Sequence, residues 1–206
     1  MKALIIVDVQ NDFTPGGALE VQSGDKIIPT INKLQKQFDL VIATQDWHPA
    51  SHKSFASNHE DAQPFDKIKL NKLDQTLWPD HCVQGSKGAE FHPELNTDKI
   101  EAIFRKGMDP EIDSYSGFFD NGRRKSTGLT GYLQEREVTE TYFCGLAGDI
   151  CVFYTAKDAI EEGFRSFLIQ DACQPLNHGD YSDALEEFEK RKGIVINSSQ
   201  LIPEFG

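Results

Sequence analysis

The strongest constraint on this chain is a repeated alternation. Short, β-rich apolar runs recur at Ala3 to Val7, Asp39 to Thr44, Glu101 to Arg105, Glu140 to Cys144, Phe164 to Ile169 and Gly193 to Ile196. Amphipathic stretches separate them. Ile27, Ile28, Ile31, Leu34 and Phe38 have helical spacing, and Leu129 to Arg136, about Asp149 to Glu162, and Tyr181 to Arg191 read as further helices. Strands that are apolar on both faces and alternate with helices belong to a parallel sheet covered on both sides. With 206 residues there is chain enough for one sizeable core. The expectation is therefore a single α/β domain over residues 1–206. It has three layers, a six-stranded, mainly parallel, Rossmann-like sheet with helices on both faces.

Composition removes several classes. No apolar run approaches the ~18 residues of a membrane span. The N-terminus is apolar enough to suggest a signal peptide, but Asp8 breaks the run and no small-residue cleavage site follows. It reads as a buried first strand, and the expected location is the cytoplasm. Formal net charge is −12, and the basic residues are scattered in runs no longer than three, as at Arg123-Arg124-Lys125. Phosphate binding needs a concentrated basic face, so neither nucleic acid nor membrane is an expected partner. The four cysteines, Cys82, Cys144, Cys151 and Cys173, form neither a CxxC zinc pattern nor a small disulfide framework. Oligomeric state, with a homo-oligomer as one possibility, is left open.

Two stretches break the alternation, Trp47 to Thr97 and Lys106 to Thr127. Loops of that length in a compact domain usually carry function. Both follow the C-terminal ends of expected strands, where open α/β sheets place their sites. Polar residues gather at those ends: Asp8 after the first strand, Asp46 and His48 after the second, Lys106 after the third, and Gly145 to Cys151 after the fourth. In a parallel sheet these ends share one edge, so residues far apart in sequence converge there.

Cys151 follows a glycine-containing turn and opens a helix. The positive helix end and Lys106 both favour its thiolate, and turn N–H groups not used by the helix can hold an oxyanion. A buried structural cysteine is the alternative, but Asp8 and Lys106 at neighbouring strand ends favour catalysis. Cys144 and Cys173 lie in or beside strands and read as inert. Asp8 puts a charge into an apolar run, either as an ion-pair partner or as a proton carrier. No histidine ends strand one, three or four, so the base need not be histidine. Asp46 and His48 share one side of an extended segment, and His81 can join them as one carboxylate and two imidazoles around a metal ion.

Five ordered blocks carry a resemblance. They are Asp8-Val9-Gln10-Asn11-Asp12-Phe13, Thr44-Gln45-Asp46-Trp47-His48-Pro49, Trp78-Pro79-Asp80-His81-Cys82-Val83, Lys106-Gly107 with Asp113-Ser114-Tyr115-Ser116, and Gly145-Leu146-Ala147-Gly148-Asp149-Ile150-Cys151-Val152. From residue 1 to about 175 the chain resembles the nicotinamidases (pyrazinamidases) of the isochorismatase-like cysteine hydrolase superfamily. The resemblance implies an isochorismatase-like fold and a catalytic triad of Asp8, Lys106 and Cys151. It implies a site for one divalent ion at Asp46, His48 and His81, zinc first and iron or manganese as alternatives. It places Phe13, Leu19, Trp78 and Tyr115 around the substrate ring. It also implies a cis peptide at Leu146–Ala147, with Ala147 and Cys151 N–H groups facing the oxyanion. The implied reaction converts nicotinamide, or a pyrazinamide-like small molecule, to the acid and ammonia through a cysteine thioester, as in NAD salvage. One departure is visible: Gly148 stands where the family commonly has Thr. His52 is left unassigned, since a further metal ligand differs among relatives.

Two rivals remain. A related amidase acting on a carbamoyl or ureido group would dispense with the metal. A non-catalytic metal- or nucleotide-binding module is disfavoured because no GxGxxG follows the first strand. Isochorismatase itself is disfavoured because vinyl-ether hydrolysis does not require the cysteine that this chain retains.

Overall fold

Strand β1 (Lys2–Val7) is buried along all but its first residue, with Ala3 to Val7 fully enclosed. A strand apolar on both faces must sit inside a covered sheet, and that is where the chain puts it. The computed structural model describes residues 1–202, so 203–206 of the expected domain lie outside the described residues. After β1 come α1 (Ile28–Leu34), β2 (Leu40–Asp46), β3 (Lys67–Leu70), β4 (Leu73–Thr76) and β5 (Ile100–Lys106). The second half holds α2 (Leu129–Glu135), β6 (Glu140–Leu146), α3 (Phe153–Glu161), β7 (Arg165–Gln174), α4 (His178–Lys190) and β8 (Ile194–Ile196). Six strands form one sheet in the order β5-β2-β1-β6-β7-β8, and every pairing in it is parallel. The single α/β domain expected from the alternation is the fold observed.

Several elements differ from the sequence reading. The helix expected over Ile27 to Phe38 is divided: α1 is flanked by tighter turns at Gly24–Ile27 and Gln35–Gln37. The helix expected from Tyr181 starts at His178, because the Asn177 side chain caps it by accepting from the Gly179 and Asp180 N–H groups. Strand β7 runs on past Ile169 to Gln174, re-pairing with β6 across an irregularity in register.

The long Trp47 to Thr97 stretch is not structureless. It contains the antiparallel β3–β4 hairpin, closed by Asn71 and Lys72 with φ of 50° and 73°. That pair of left-handed residues fits the twist of two-residue hairpin turns. The hairpin is held from outside: Arg124 donates to Asn71 O at 3.0 Å, and the Asn71 amide donates to Glu111 O.

The basic run Arg123-Arg124-Lys125 is consumed locally. Arg123 pairs with Asp158 at 2.7 Å and with Glu161 and Glu162, while Lys125 pairs with Asp109. Among the described residues no helix is long and apolar enough to cross a membrane.

The central strand gives a direct stability test. Ile5 is fully buried in β1. Ile5→Ala should lower unfolding stability by about 2–5 kcal/mol, since the cavity adds to the lost transfer energy. Urea denaturation of both proteins measures it, and a loss below about 1 kcal/mol would mean that β1 is not the packed centre.

Candidate active site

The order β5-β2-β1-β6 sets four strand ends side by side. Each delivers a polar side chain. Lys106 ends β5 and is the register partner of Asp46, which ends β2. Asp8 follows β1, where φ of 48° turns the chain sharply; Asp tolerates that left-handed region better than most residues. β6 leads through Ala147 into a single π-helical turn, Gly148–Val152, that carries Cys151 and continues into α3. The Leu146–Ala147 peptide is cis.

Lys106 Nζ lies at the centre of this convergence. It is 2.8 Å from Asp8 Oδ2, 2.6 Å from Asp46 Oδ1, 3.0 Å from Ser114 O and 3.5 Å from Cys151 Sγ. All four side chains are buried. Thr44 Oγ1 donates to Asp8 Oδ1 at 2.6 Å. Asp8 Oδ2 is ion-paired to Lys106 but receives no aligned hydrogen bond, so it is free to accept a proton. A ligand atom from each of Asp8, Asp46 and Cys151 lies within 4.8 Å of the others.

Burial and charge oppose each other here. Burial alone would depress the Lys106 ammonium, but Asp46, Asp8 and Cys151 together hold it well above its ordinary value. Burial would raise Asp46; Lys106, His48 and His81 outweigh that and hold it well below the usual carboxylate range. Asp8 moves the other way: its burial is complete and Asp46 adds repulsion, so Lys106 only partly offsets the rise.

Cys151 departs from the sequence reading. A helix end and Lys106 were expected to favour thiolate, yet burial pushes the thiol well above its ordinary value, and Asp8 and Asp46 add to the rise. Cys151 also sits inside the π turn rather than at the first residue of α3. The resting sulfur is therefore a protonated thiol beside a carboxylate oxygen. Cys144 and Cys173 are buried thiols raised by desolvation, Cys173 to about 12.

The second cluster stands beside the first. His48 Nε2 is 3.5 Å and His81 Nε2 3.8 Å from Asp46 Oδ2, too long for hydrogen bonds and suited to a shared ion. The far nitrogens are engaged: His48 Nδ1 with Gly107 O at 2.9 Å, His81 Nδ1 with Pro79 O at 2.7 Å. Donating to a carbonyl puts a proton on Nδ1 and aims Nε2 at Asp46; burial would lower His48, but Asp46 outweighs it and raises His48, so at that ring a metal would replace a proton. Burial and His48 push His81 down to about 4, which keeps its Nε2 lone pair bare. Charge agrees with the donor chemistry. Asp8, Asp46 and Asp113 oppose a single ammonium, Lys106, in this buried region. A divalent cation neutralises the remainder. The residues present thus fit a divalent ion.

His52 is fully buried, its Nε2 has no hydrogen-bond partner, and its ring lies 4.5 Å from that of His48. The strand-end argument did not reach it because it lies six residues beyond β2.

Cys151 and Ala147 open into a small cavity of about 30 Å³ that also exposes Asp46 and His81. Phe13, Leu19, Trp78 and Tyr115 all line it. Sequence reasoning missed Val21, Asp113, Ile150 and Leu176. Leu176 follows the end of β7, and Ile150 precedes Cys151, so extending the strand-end rule would have found both. Val21 has no signal of its own. The Gly148 departure has a structural reason: a β-carbon there would stand 2.9 Å from the Tyr181 ring, which occupies the space a side chain would take.

With this geometry in view, the whole chain can be placed among known proteins. The isochorismatase domain model matches residues 2–200. The chain belongs to the isochorismatase family. It is 52% identical to the nicotinamidase of Acinetobacter baylyi over 90% of its own length and 87% of the relative's. It superposes on the Acinetobacter baumanii nicotinamidase/pyrazinamidase with a TM-score of 0.95 and 48% identity, over 97% of each chain. The Pyrococcus horikoshii pyrazinamidase, solved in complex with zinc, matches with a TM-score of 0.79 and 38% identity, over 95% of this chain and 98% of the other. The resemblance to the nicotinamidase branch of the family therefore extends to both sequence and structure.

Lys106 offers a test that does not involve substrate. Lys106→Met leaves Asp8 and Asp46 buried without their cation, which should cost about 3–5 kcal/mol at pH 7. The held-down Asp46 stabilises the wild type above the unfolded carboxylate pKa, and that contribution fades as pH falls through its folded value. The variant lacks this term, so the gap between the two proteins should narrow below about pH 4. Urea denaturation of chelator-treated protein across pH reads it out. A constant gap would show that Lys106 is not the carboxylates' counter-charge.

Proposed function

We propose that this chain is a nicotinamidase: it hydrolyses nicotinamide, or a close pyridine or pyrazine carboxamide, to the acid and ammonia. One observation carries the reading. The thiol of Cys151 lines a small aromatic-lined cavity with the Asp8 carboxylate and Lys106 ammonium buried behind it, and two members of a metal donor set, Asp46 and His81, line the same cavity. The cavity is small and walled by Phe13, Trp78 and Tyr115, as a flat one-ring substrate requires.

Cys151 is the nucleophile, Asp8 the proton carrier and Lys106 the electrostatic anchor of both. Asp46, His48 and His81 would hold the divalent ion, zinc first among the candidates. When bound, that ion supplies a Lewis acid for the ring nitrogen. Phe13 and Trp78 confine the ring from the sides, and Tyr115 closes the cavity. Asp8 Oδ2 takes the Cys151 proton as Sγ attacks the carboxamide carbon. The Ala147 and Cys151 N–H groups receive the developing oxyanion. Collapse breaks the C–N bond, Asp8 returns the proton to the departing nitrogen, and ammonia leaves a thioester on Cys151. Water then adds with Asp8 as base, the C–S bond breaks, the thiol regains its proton and the acid departs.

The rival reading, a carbamoyl or ureido amidase, is disfavoured by the metal-donor grouping of Asp46, His48 and His81, whose ligand atoms lie within 4.8 Å of one another.

Ammonia release from nicotinamide tests the reading. Cys151→Ala should lower it by ~10⁴-fold or more, and Asp8→Asn by a comparable factor, because the groups act as a unit. Dialysis against a chelator should abolish most of the activity, and zinc should restore it. Full activity after chelation would remove the metal from the mechanism; no ammonia from nicotinamide with or without zinc would favour the ureido reading; a fully active Cys151→Ala would end the cysteine mechanism.

A further inference from the structure

The β3–β4 hairpin is mostly solvated, and Gln75 is its one fully enclosed side chain, at 4% exposure. Gln75 does not line the catalytic cavity. Its amide instead faces the outer side of that cavity's wall. Nε2 donates to Asp113 Oδ2 at 2.9 Å, to the Tyr115 hydroxyl at 3.3 Å and to Thr76 O at 2.7 Å. Asp113 and Tyr115 both line the cavity. The Asp113 carboxylate receives one other hydrogen bond, from the Ser114 N–H at 2.8 Å.

Tyr115 has two faces. One closes the catalytic cavity, edge-on to Trp78 with ring centroids 6.2 Å apart. The other borders an outer cleft of about 380 Å³, lined with Lys67, Asp74, Gln75, Thr76 and Tyr154. The Tyr154 ring lies 5.5 Å from Tyr115 on that side. The outer cleft is larger than the cavity it adjoins, at about 380 against about 30 Å³. The aromatic ring of Tyr115 is the partition between them.

We infer that Gln75 is a positioning residue for substrate size selection. Its amide latches Tyr115 and Asp113 to the hairpin, and the latched ring confines the cavity to single-ring carboxamides. Releasing the latch joins the cavity to the outer cleft, which has room for a substituent on the ring. This inference rests on the amidase reading for its substrate, but the latch itself has a readout that does not.

The experiment compares wild type with Gln75→Ala and Gln75→Met. Methionine fills the same space without donating, so it separates the hydrogen bonds from packing. Two measurements are made. The first is acrylamide quenching of Trp78 fluorescence, in a Trp47→Phe background that removes the other indole. The second is ammonia release from nicotinamide and from 5-phenylnicotinamide. Both variants should raise Trp78 quenching. For nicotinamide, KM should rise about tenfold, the scale of one or two lost hydrogen bonds, with kcat changed less than about threefold. The ratio of kcat/KM for 5-phenylnicotinamide to that for nicotinamide should rise at least about tenfold.

Gln75→Met indistinguishable from wild type in both measurements would overturn the latch and leave packing as the role. So would a loss confined to kcat, which would put Gln75 in the chemistry. If no protein releases ammonia from nicotinamide, yet quenching rises in both variants, the amidase reading fails and the partition stands. Unchanged quenching in both variants removes the latch whatever the activities show.

Discussion

The site depends on one buried ammonium. Lys106 is fully enclosed, and an isolated charge there would cost several kcal/mol after relaxation, on the order of the protein's whole stability. It is tolerated because two carboxylates lie within 2.8 Å of it and a backbone carbonyl within 3.0 Å. The dependence is mutual. Without Lys106, Asp8 and Asp46 would be two buried anions with no cation among the described side chains that reaches both. The cluster therefore ties β1, β2, β5 and the turn after β6 into a single electrostatic unit. Those elements are also the centre and one edge of the sheet, so the geometry of the chemistry and the geometry of the fold cannot be changed separately.

This linkage explains how much of the site was legible in the sequence. Strands β1, β2 and β6, buried almost throughout, leave continuous apolar runs, and a polar residue that ends such a run stands out. Asp8 and Asp46 were found that way, as was Cys151 after β6, while Lys106 was found at the end of the alternating edge strand β5. Parallel topology supplied the rest: once strands alternate with helices, their C-terminal ends must share an edge. The five ordered blocks added what spacing alone left open, namely that His81 belongs with Asp46 and His48, and which aromatic residues face the cavity.

What escaped had weak or contrary signals. The β3–β4 hairpin reads KIKLNKLDQT, with charges on its open face and a single fully buried residue, so it lacks the apolar runs that revealed the sheet. Asn71 is a turn residue, but Lys72 in a left-handed conformation is not an expected partner for it. His52 lies in a loop whose path brings it back under His48, a contact with no periodicity to betray it. The protonation of Cys151 was misjudged because sequence reveals the helix and the lysine, not the depth of burial. Desolvation exceeded both. Gly148 shows the reverse case, a departure from the family pattern that becomes intelligible once the Tyr181 ring is seen against it.

The absence of a histidine at the proton-transfer position follows from the same electrostatics. A thiol giving its proton to a neutral imidazole creates two charges where there were none. In a buried pocket that already holds Lys106 and presents donors for a divalent cation, a new imidazolium would be repelled by both. A carboxylate avoids that penalty. In the proposed reaction, moving a proton from Cys151 Sγ to Asp8 Oδ2 converts one anion into another and leaves the net charge of the cluster unchanged. Lys106 lies 2.8 Å from the first position of the negative charge and 3.5 Å from the second. It therefore keeps the charge compensated as it moves. Burial raises Asp8 and Cys151 together, so the low dielectric that makes the thiol a poor acid also makes the carboxylate a better base. The proton can pass between them without either group first having to ionise into water. A protonated resting thiol is then what this arrangement requires rather than an obstacle to it.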